Sequence, residues 1–210
     1  MKLQASLFSI ALAVLLVAAS TSASAAAETP KRGGTLTFAV SAEPPNYDCH
    51  ANSSFAFIHP VRPHYSTLLK FNAPNYPKIT GDLATSWKVA NDGLTYTFKL
   101  RNNVKFHDGS PLTSADIKAT YDRIRTPPAG VRSLRQATYA DVATIETPDA
   151  QTVVFKLKKT NASMLSNFAS PWDCVYSAAK LKQDPKFPER NILGTGPFTF
   201  VEHVAGSHWV

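Results

Sequence analysis

The chain has 210 residues, 44% of them hydrophobic, and Lys plus Arg exceed Asp plus Glu by 22 to 15, a formal net charge of +7. That apolar share can bury the core of one domain or a large part of two. The cations are scattered, and the densest group, Lys156-Leu157-Lys158-Lys159, closes a strand pattern as a solvated edge, so the charge does not call for a nucleic-acid partner.

Met1-Lys2, the apolar run Leu7 to Ala18 and the small-x-small triplet Ala23-Ser24-Ala25 read as a cleaved secretory signal peptide, with a mature start near Ala26 or Glu28. No cysteine stands at the cleavage point to carry a lipid anchor, and no later run is long enough to span a bilayer. An exported chain meets an oxidising compartment, where Cys49 and Cys174 can pair or remain two thiols; residue types alone leave both open.

Leu36, Phe38 and Val40 alternate in a first predicted strand, 35 to 41, which Glu43-Pro44-Pro45-Asn46 ends in an extended loop. Apolar residues from Phe55 to Leu69 recur at helical spacing but Pro60 and Pro63 interrupt them, so the regular helix is expected over Pro63 to Lys70. The most informative stretch is Trp87 to Asp116. Val89 and then Leu94, Tyr96, Phe98 and Leu100 alternate about Asn91-Asp92-Gly93, a hairpin whose glycine tolerates positive φ. Val104 and Phe106 add a short strand before the Asp108-Gly109 corner, and Thr113 with Asp116 starts a capped helix over Ser114 to about Arg125.

A second hairpin, Val142 to Thr147 and Thr152 to Leu157, turns at Pro148-Asp149-Ala150. Asn161 can cap a short helix through Phe168 and Ser177 another through Lys182, with Pro185 and Pro188 ending that segment. Gly194-Thr195-Gly196-Pro197 opens a last strand, Phe198 to His203; the proline and the alternation that follows argue against a phosphate loop, which needs a helix start.

Catalytic signatures are scarce: there is no Gly-x-Ser-x-Gly elbow, His-Glu-x-x-His, Cys-x-x-Cys or Walker loop. A secreted hydrolase therefore has no support here. His50, His59 and His64 beside Cys49 are the only group resembling metal ligands, and the His59 to His64 interval crosses two prolines. His107 beside Asp108 fits a structural hydrogen bond better than acid-base work. Loops carry the stronger signal: Glu43 to Asp48 and Ser170 to Tyr176 offer Tyr47, Trp172 and Tyr176 as amphipathic rings, and Glu43 could meet a cationic ligand group.

The chain resembles the family 5 extracellular solute-binding proteins of ABC importers, the group with dipeptide-, oligopeptide- and nickel-binding members. The resemblance rests on Gly33-Gly34-Thr35-Leu36, Ala42-Glu43-Pro44, Leu83 to Trp87, Asp92 to Phe98, Leu100-Arg101, Val104 to Gly109 with Pro111-Leu112-Thr113, Thr147-Pro148-Asp149, and Gly194 to Phe198, all in family order. It implies an α+β, periplasmic-binding-protein-like fold of type II, the class with an extra subdomain, here incomplete and lacking the second lobe. The domain boundaries it implies are a signal peptide at 1–25, the start of lobe I at 26–80, the extra subdomain at 81–190 and a return strand at 191–210. Further implications are a periplasmic location, a peptide or related small polar solute as ligand, a permease and ATPase complex as partner, and no enzymatic activity or cofactor. A nickel or metal-chelate ligand is the alternative within the family, although no metal ligand is assigned.

The resemblance places the loop after the first strand near the ligand, which points to Glu43, Asn46 and Tyr47, and more weakly to Trp172 and Asp173. Where family members often have Asp-Pro, this chain has Asp48-Cys49, which departs from the family's loop geometry. If both loops line the cleft, Cys49 and Cys174 come near each other, which favours a disulfide.

Overall fold

Two hairpins, each built by period-two alternation, meet edge to edge in the computed structural model, which describes residues 33–210. The expected signal peptide lies outside the described residues. Ala39–Val210 form one unit and Gly33–Phe38 belong to another. In the first hairpin β3 (Ala84–Val89) pairs with β4 (Thr95–Leu100), Trp87 opposite Phe98, and Gly93 takes φ +69° at the turn. In the second, β5 (Val142–Asp149) pairs with β6 (Thr152–Leu157), and β6 joins β4 with Phe98 opposite Val153. The result is a four-stranded antiparallel sheet in the order β3-β4-β6-β5.

Alternation sends Tyr96, Phe98 and Leu100 of β4 and Val153, Phe155 and Leu157 of β6 into one core. Helix α2 (Ser114–Arg125) covers β5 and β6 with Ile117, Tyr121 and Ile124, a spacing of four and three that lays all three on one face. Its start is capped as expected: the Asp116 carboxylate accepts from the Thr113 N–H at 2.8 Å and its hydroxyl at 3.2 Å. Phe168, from α3 (Met164–Phe168), reaches Phe155 at 4.7 Å and Phe98 at 5.1 Å between ring centroids. Full burial of one such ring stabilises by roughly 1.5–3 kcal/mol.

A second, smaller core lies under α1 (Phe55–Val61), where Phe57, Ile58, Val61 and Tyr65 pack with Cys49, Cys174, Tyr176 and Leu181. Leu181 comes from α4 (Ala178–Gln183), whose N-cap Ser177 hydroxyl accepts from the Lys180 N–H at 3.5 Å.

Several elements differ from the sequence reading. The expected strand at 35–41 forms no ladder, because a strand exists only through a partner and none of the described residues supplies one. The helix expected over Pro63 to Lys70 falls earlier. Pro60 and Pro63 each lack an N–H donor, so the helix tightens into a turn at Arg62–His64 and stops, and Leu69–Phe71 become β1, paired with β2 (Ile79–Gly81). In place of the short strand expected at Val104 and Phe106 there is only an isolated bridge from the residue between them, Lys105 to Pro111. Asn161 accepts from the Ser163 N–H at 3.0 Å in a turn ahead of α3 and does not cap it. Pro185 follows the end of α4 at Gln183 as expected, whereas Pro188 ends nothing: it sits in the first turn of α5 (Phe187–Arg190), where a missing N–H costs nothing. Of the strand expected over Phe198 to His203 only His203 is in a ladder, in a hairpin of β7 (His203–Val204) with β8 (His208–Trp209) that turns at Gly206 with φ +74°.

Gly194 and Gly196 have their own reason. A side chain at Gly194 would lie 2.0 Å from the His64 carbonyl oxygen, and one at Gly196 would lie 2.4 Å from that of Pro63. The Gly-Thr-Gly segment is glycine-bearing because two backbones touch there, in keeping with the reading against a phosphate loop. His107 makes a structural contact with the same segment, Nε2 to the Gly196 carbonyl oxygen at 2.9 Å.

Candidate functional site

Cys49 and Cys174 are joined in a disulfide, 125 residues apart in sequence and 6.0 Å apart at Cα. The bond fastens the two loops singled out above, and a buried polar network surrounds it. Asp48 lies entirely out of solvent, its carboxylate gripped by the Arg123 guanidinium at 2.6 and 3.2 Å, a two-pronged contact that only Arg can make. The Tyr176 hydroxyl donates to Asp48 at 3.1 Å and accepts the Cys49 N–H at 2.7 Å. Burial alone would raise the Asp48 carboxyl; its neighbours His50 and Arg123, with the hydrogen bonds they supply, outweigh that and hold it below its usual value.

His50 is fully buried beside the same pair. Burial pushes its imidazole down to about 3, attraction to Asp48 opposing and repulsion from Arg123 adding to the effect. The ring is therefore neutral at ordinary pH, and its tautomer follows from its partners. Arg123 donates to Nδ1 at 2.9 Å, so the proton sits on Nε2 and is donated to the Cys174 carbonyl at 3.1 Å.

A second arginine serves the other side of the loop. Arg135 donates to the carbonyls of Cys49 at 3.2 Å, His50 at 3.3 Å and Asn52 at 2.8 Å, and its guanidinium carbon lies 5.1 Å from the centre of the Trp172 ring. Trp172 also stacks on Phe57, 6.0 Å between centroids with 22° between planes. Asp173 is buried away from solvent. One carboxylate oxygen accepts from the Tyr139 hydroxyl at 2.6 Å; the other makes no hydrogen bond and lies 3.9 Å from Arg135 Nε. Burial raises this carboxyl to about 7, the Tyr139 hydrogen bond and the Arg135 charge only partly opposing it.

The first loop is fixed at its other end by aromatic packing. Tyr47 shares a 3.0 Å hydrogen bond with His203 Nδ1 and meets Trp209 edge-on at 5.3 Å, while Trp209 donates its indole N–H to His64 at 2.9 Å. Glu43 accepts from the Gly206 N–H and stands 3.8 Å from His203, its side chain still 45% exposed. Asn46 works within the chain, its side-chain oxygen accepting from the Asp48 N–H at 3.0 Å and Asn52 at 2.8 Å. Of the sequence-nominated residues, Glu43 is thus open to solvent, Tyr47 and Trp172 are part-exposed rings, and Asn46 and Asp173 have their side chains turned to internal partners.

The three histidines considered as metal ligands do not converge: His50 faces Arg123, His59 stacks on Phe55 at 5.4 Å, and His64 bonds to Phe198 and Trp209. Among the described residues no cluster of three His, Cys, Asp or Glu has a metal-binding arrangement, and no helix is long and apolar enough to cross a membrane. Two surface grooves, of about 390 and 510 Å³, flank the C-terminal end of α2, and none of the nominated residues lines either. Arg123, Arg135, His203 and Trp209 are the participants sequence reasoning missed. The arginines looked like scattered surface charge, and nothing local marks a cation whose partner lies 75 residues away.

Residues 78–210 match the family described as bacterial extracellular solute-binding proteins, family 5 Middle. A protein of Brucella ovis named as an ABC transporter peptide-binding protein is 40% identical over 136 residues, 62% of this chain and 25% of the relative. Among solved structures, the binding protein AgaA of Agrobacterium tumefaciens R10 in complex with agropinic acid has a TM-score of 0.72 at 30% identity, covering 80% of this chain and 33% of its own. The periplasmic binding protein DppA of Helicobacter pylori, in complex with the peptide STSA, has a TM-score of 0.69 at 26% identity, covering 78% and 36%. The chain spans about a quarter of the length of the curated relatives it matches.

Proposed function

The chain belongs to the bacterial extracellular solute-binding proteins of family 5, and on that premise we propose that it captures a peptide or related small polar solute in the periplasm and delivers it to an ABC permease and its ATPase. Its α+β fold is that of the periplasmic binding proteins with which it aligns. The role is that of a carrier and not of an enzyme.

The observation that carries this reading is the fastening of two loops, 43–52 and 170–176, into one surface on a rigid scaffold. In that surface Glu43 supplies a carboxylate for a cationic group of the solute, and Tyr47 and Trp172 supply rings for its apolar parts. Asn46 and Asp173 shape the surface from behind. A wall of this kind contributes half of a clamshell: contacts to both walls are gained together only when a cleft closes, so closure is itself part of binding and reports the loaded state to the permease.

The test is calorimetry on the protein as the cell makes it, purified from the periplasm, with Ser-Thr-Ser-Ala and agropinic acid as titrants. Saturable one-to-one binding is expected, with a thermal shift matching a stabilisation of roughly 2.7 kcal/mol at a hundredfold excess over Kd. Turnover of either titrant, or no response to both, would overturn the reading.

A further inference from the structure

The disulfide, the hydrogen bonds of His50 and Tyr176, and Arg135 all link the candidate loops, and they constrain different things. The disulfide fixes the separation of residues 49 and 174, 6.0 Å at Cα. Trp172 lies two residues before Cys174, and the sulfur bridge does not hold its ring. Phe57 stacks on the ring at 6.0 Å, and Arg135 ties it to the other loop: its guanidinium lies 5.1 Å from the ring centre while the same group donates to the carbonyls of Cys49, His50 and Asn52. Arg135 is itself placed by its neighbour, since the Leu134 N–H donates to the His50 carbonyl at 2.9 Å and runs this segment along the first loop. Its side chain is 13% exposed, so the contacts are shielded from competing water.

From this geometry we infer that Arg135 is a positioning residue: it sets the orientation of the Trp172 ring and couples it to the backbone of residues 49–52, so the two candidate ligand loops act as one. The inference rests on the ligand-binding reading for its consequence but not for its geometry. The fork matters as much as the charge. A planar guanidinium can face a ring and still direct N–H groups at three carbonyls, whereas an ammonium is a point charge on a flexible stem that can keep the ring or the carbonyls but not all four.

The experiment uses the periplasmic protein labelled with 5-fluorotryptophan, Trp172 assigned by Trp172→Phe, in the wild type, Arg135→Gln and Arg135→Lys. In Arg135→Gln the fluorine resonance of Trp172 moves while those of Trp87 and Trp209 stay, and amide exchange at residues 49–52 quickens by roughly tenfold or more, as loss of a charge-assisted hydrogen bond implies. In Arg135→Lys the Trp172 resonance returns most of the way toward wild type, because a cation again faces the ring, and the exchange stays fast. Titrated with Ser-Thr-Ser-Ala, Arg135→Gln binds roughly tenfold more weakly at a wild-type melting profile of the sheet. An unmoved Trp172 resonance, or three resonances moving together with a general loss of exchange protection, overturns the inference. If wild-type protein binds no titrant while Trp172 still responds as described, the ligand reading fails and the positioning stands; if wild type and Arg135→Gln bind the peptide equally, the consequence for the site is overturned.

Discussion

The core beneath the four-stranded sheet and the core around the disulfide are held together by different physics. In the first, Phe98, Phe155, Phe168 and Tyr121 fill space with rings, and cohesion is apolar area and close packing. In the second, aliphatic and aromatic side chains surround a carboxylate, a guanidinium, a neutral imidazole and a sulfur bridge. The difference teaches that burial has two costs of failure. An apolar core loses roughly what is removed plus the cavity, whereas a buried ion pair leaves behind an uncompensated charge.

The sharpest test of that contrast is rescue. Phe155→Ala and Arg123→Ala should each destabilise by about 3–5 kcal/mol in denaturant unfolding, the first through a cavity and the second through a stranded Asp48. Replacing both partners, Arg123→Met with Asp48→Leu, should recover most of the loss, and no single partner of Phe155 can do the same. A double variant as weak as Arg123→Ala would mean that the loss comes from the other hydrogen bonds of the pair, to Tyr176, His50 and Pro185, and not from a stranded charge.

Removing the covalent link comes next. Cys49→Ala with Cys174→Ala frees a loop of 125 residues in the unfolded chain, which should cost about 2–5 kcal/mol, read as a lower unfolding midpoint. The sheet should keep its secondary structure near the former midpoint while segment 43–52 opens first. Mass spectrometry without reductant should find no alkylatable thiol in the wild type, since both cysteines are bonded and buried.

The smallest effect is in the pH dependence, and it belongs to the second core alone. His50 is held down to about 3 when folded and titrates near 6.5 when unfolded, so the unfolded chain takes up the proton first and stability is lost as pH falls from 6.5 toward 3. Asp173 behaves oppositely. Its carboxyl is raised to about 7 from 3.8, so the folded state keeps a proton that the unfolded state has released, and stability falls as pH rises from about 4 to about 7. His50 faces Asp48, Arg123 and Arg135, and Asp173 faces Tyr139 and Arg135, with Tyr121 close by. Between pH 4 and 6.5 the two slopes oppose each other, and His64, which burial also lowers, acts in the same direction as His50. Relative to the wild type, unfolding midpoints should therefore fall more on acidification in Asp173→Asn and fall less, or rise, in His50→Gln. Parallel profiles in all three would remove these groups from the balance.

Much of the sheet core was legible beforehand because its instructions are local. Alternation at Leu94 to Leu100 and Thr152 to Leu157, glycine at position 93 and the Thr113–Asp116 cap each act within a few residues, and each element forms there. Legibility failed where an element needs a distant partner. The alternation at 35–41 and at Phe198 to His203 is as clear as that of β4, yet none of the described residues pairs with the first, and of the second only His203 enters a ladder, in the short hairpin with β8. In the candidate site, Glu43 and Tyr47 could be nominated from their loop. That Asn46 and Asp173 face inward could not, because burial is a property of what packs above a residue.

The sequence by itself determined the local grammar and, through a long ordered string of motifs, the family. Turn chemistry, helix caps and period-two patterns are decided by contacts between near neighbours, so they can be read one segment at a time. Tertiary structure alone decided that Cys49 meets Cys174, that Arg123 belongs to Asp48 and that Arg135 ties Trp172 to the loop before it. Those partners lie 75 to 125 residues apart or in different loops, and closing such distances is a choice made by the whole chain when it balances conformational entropy against burial.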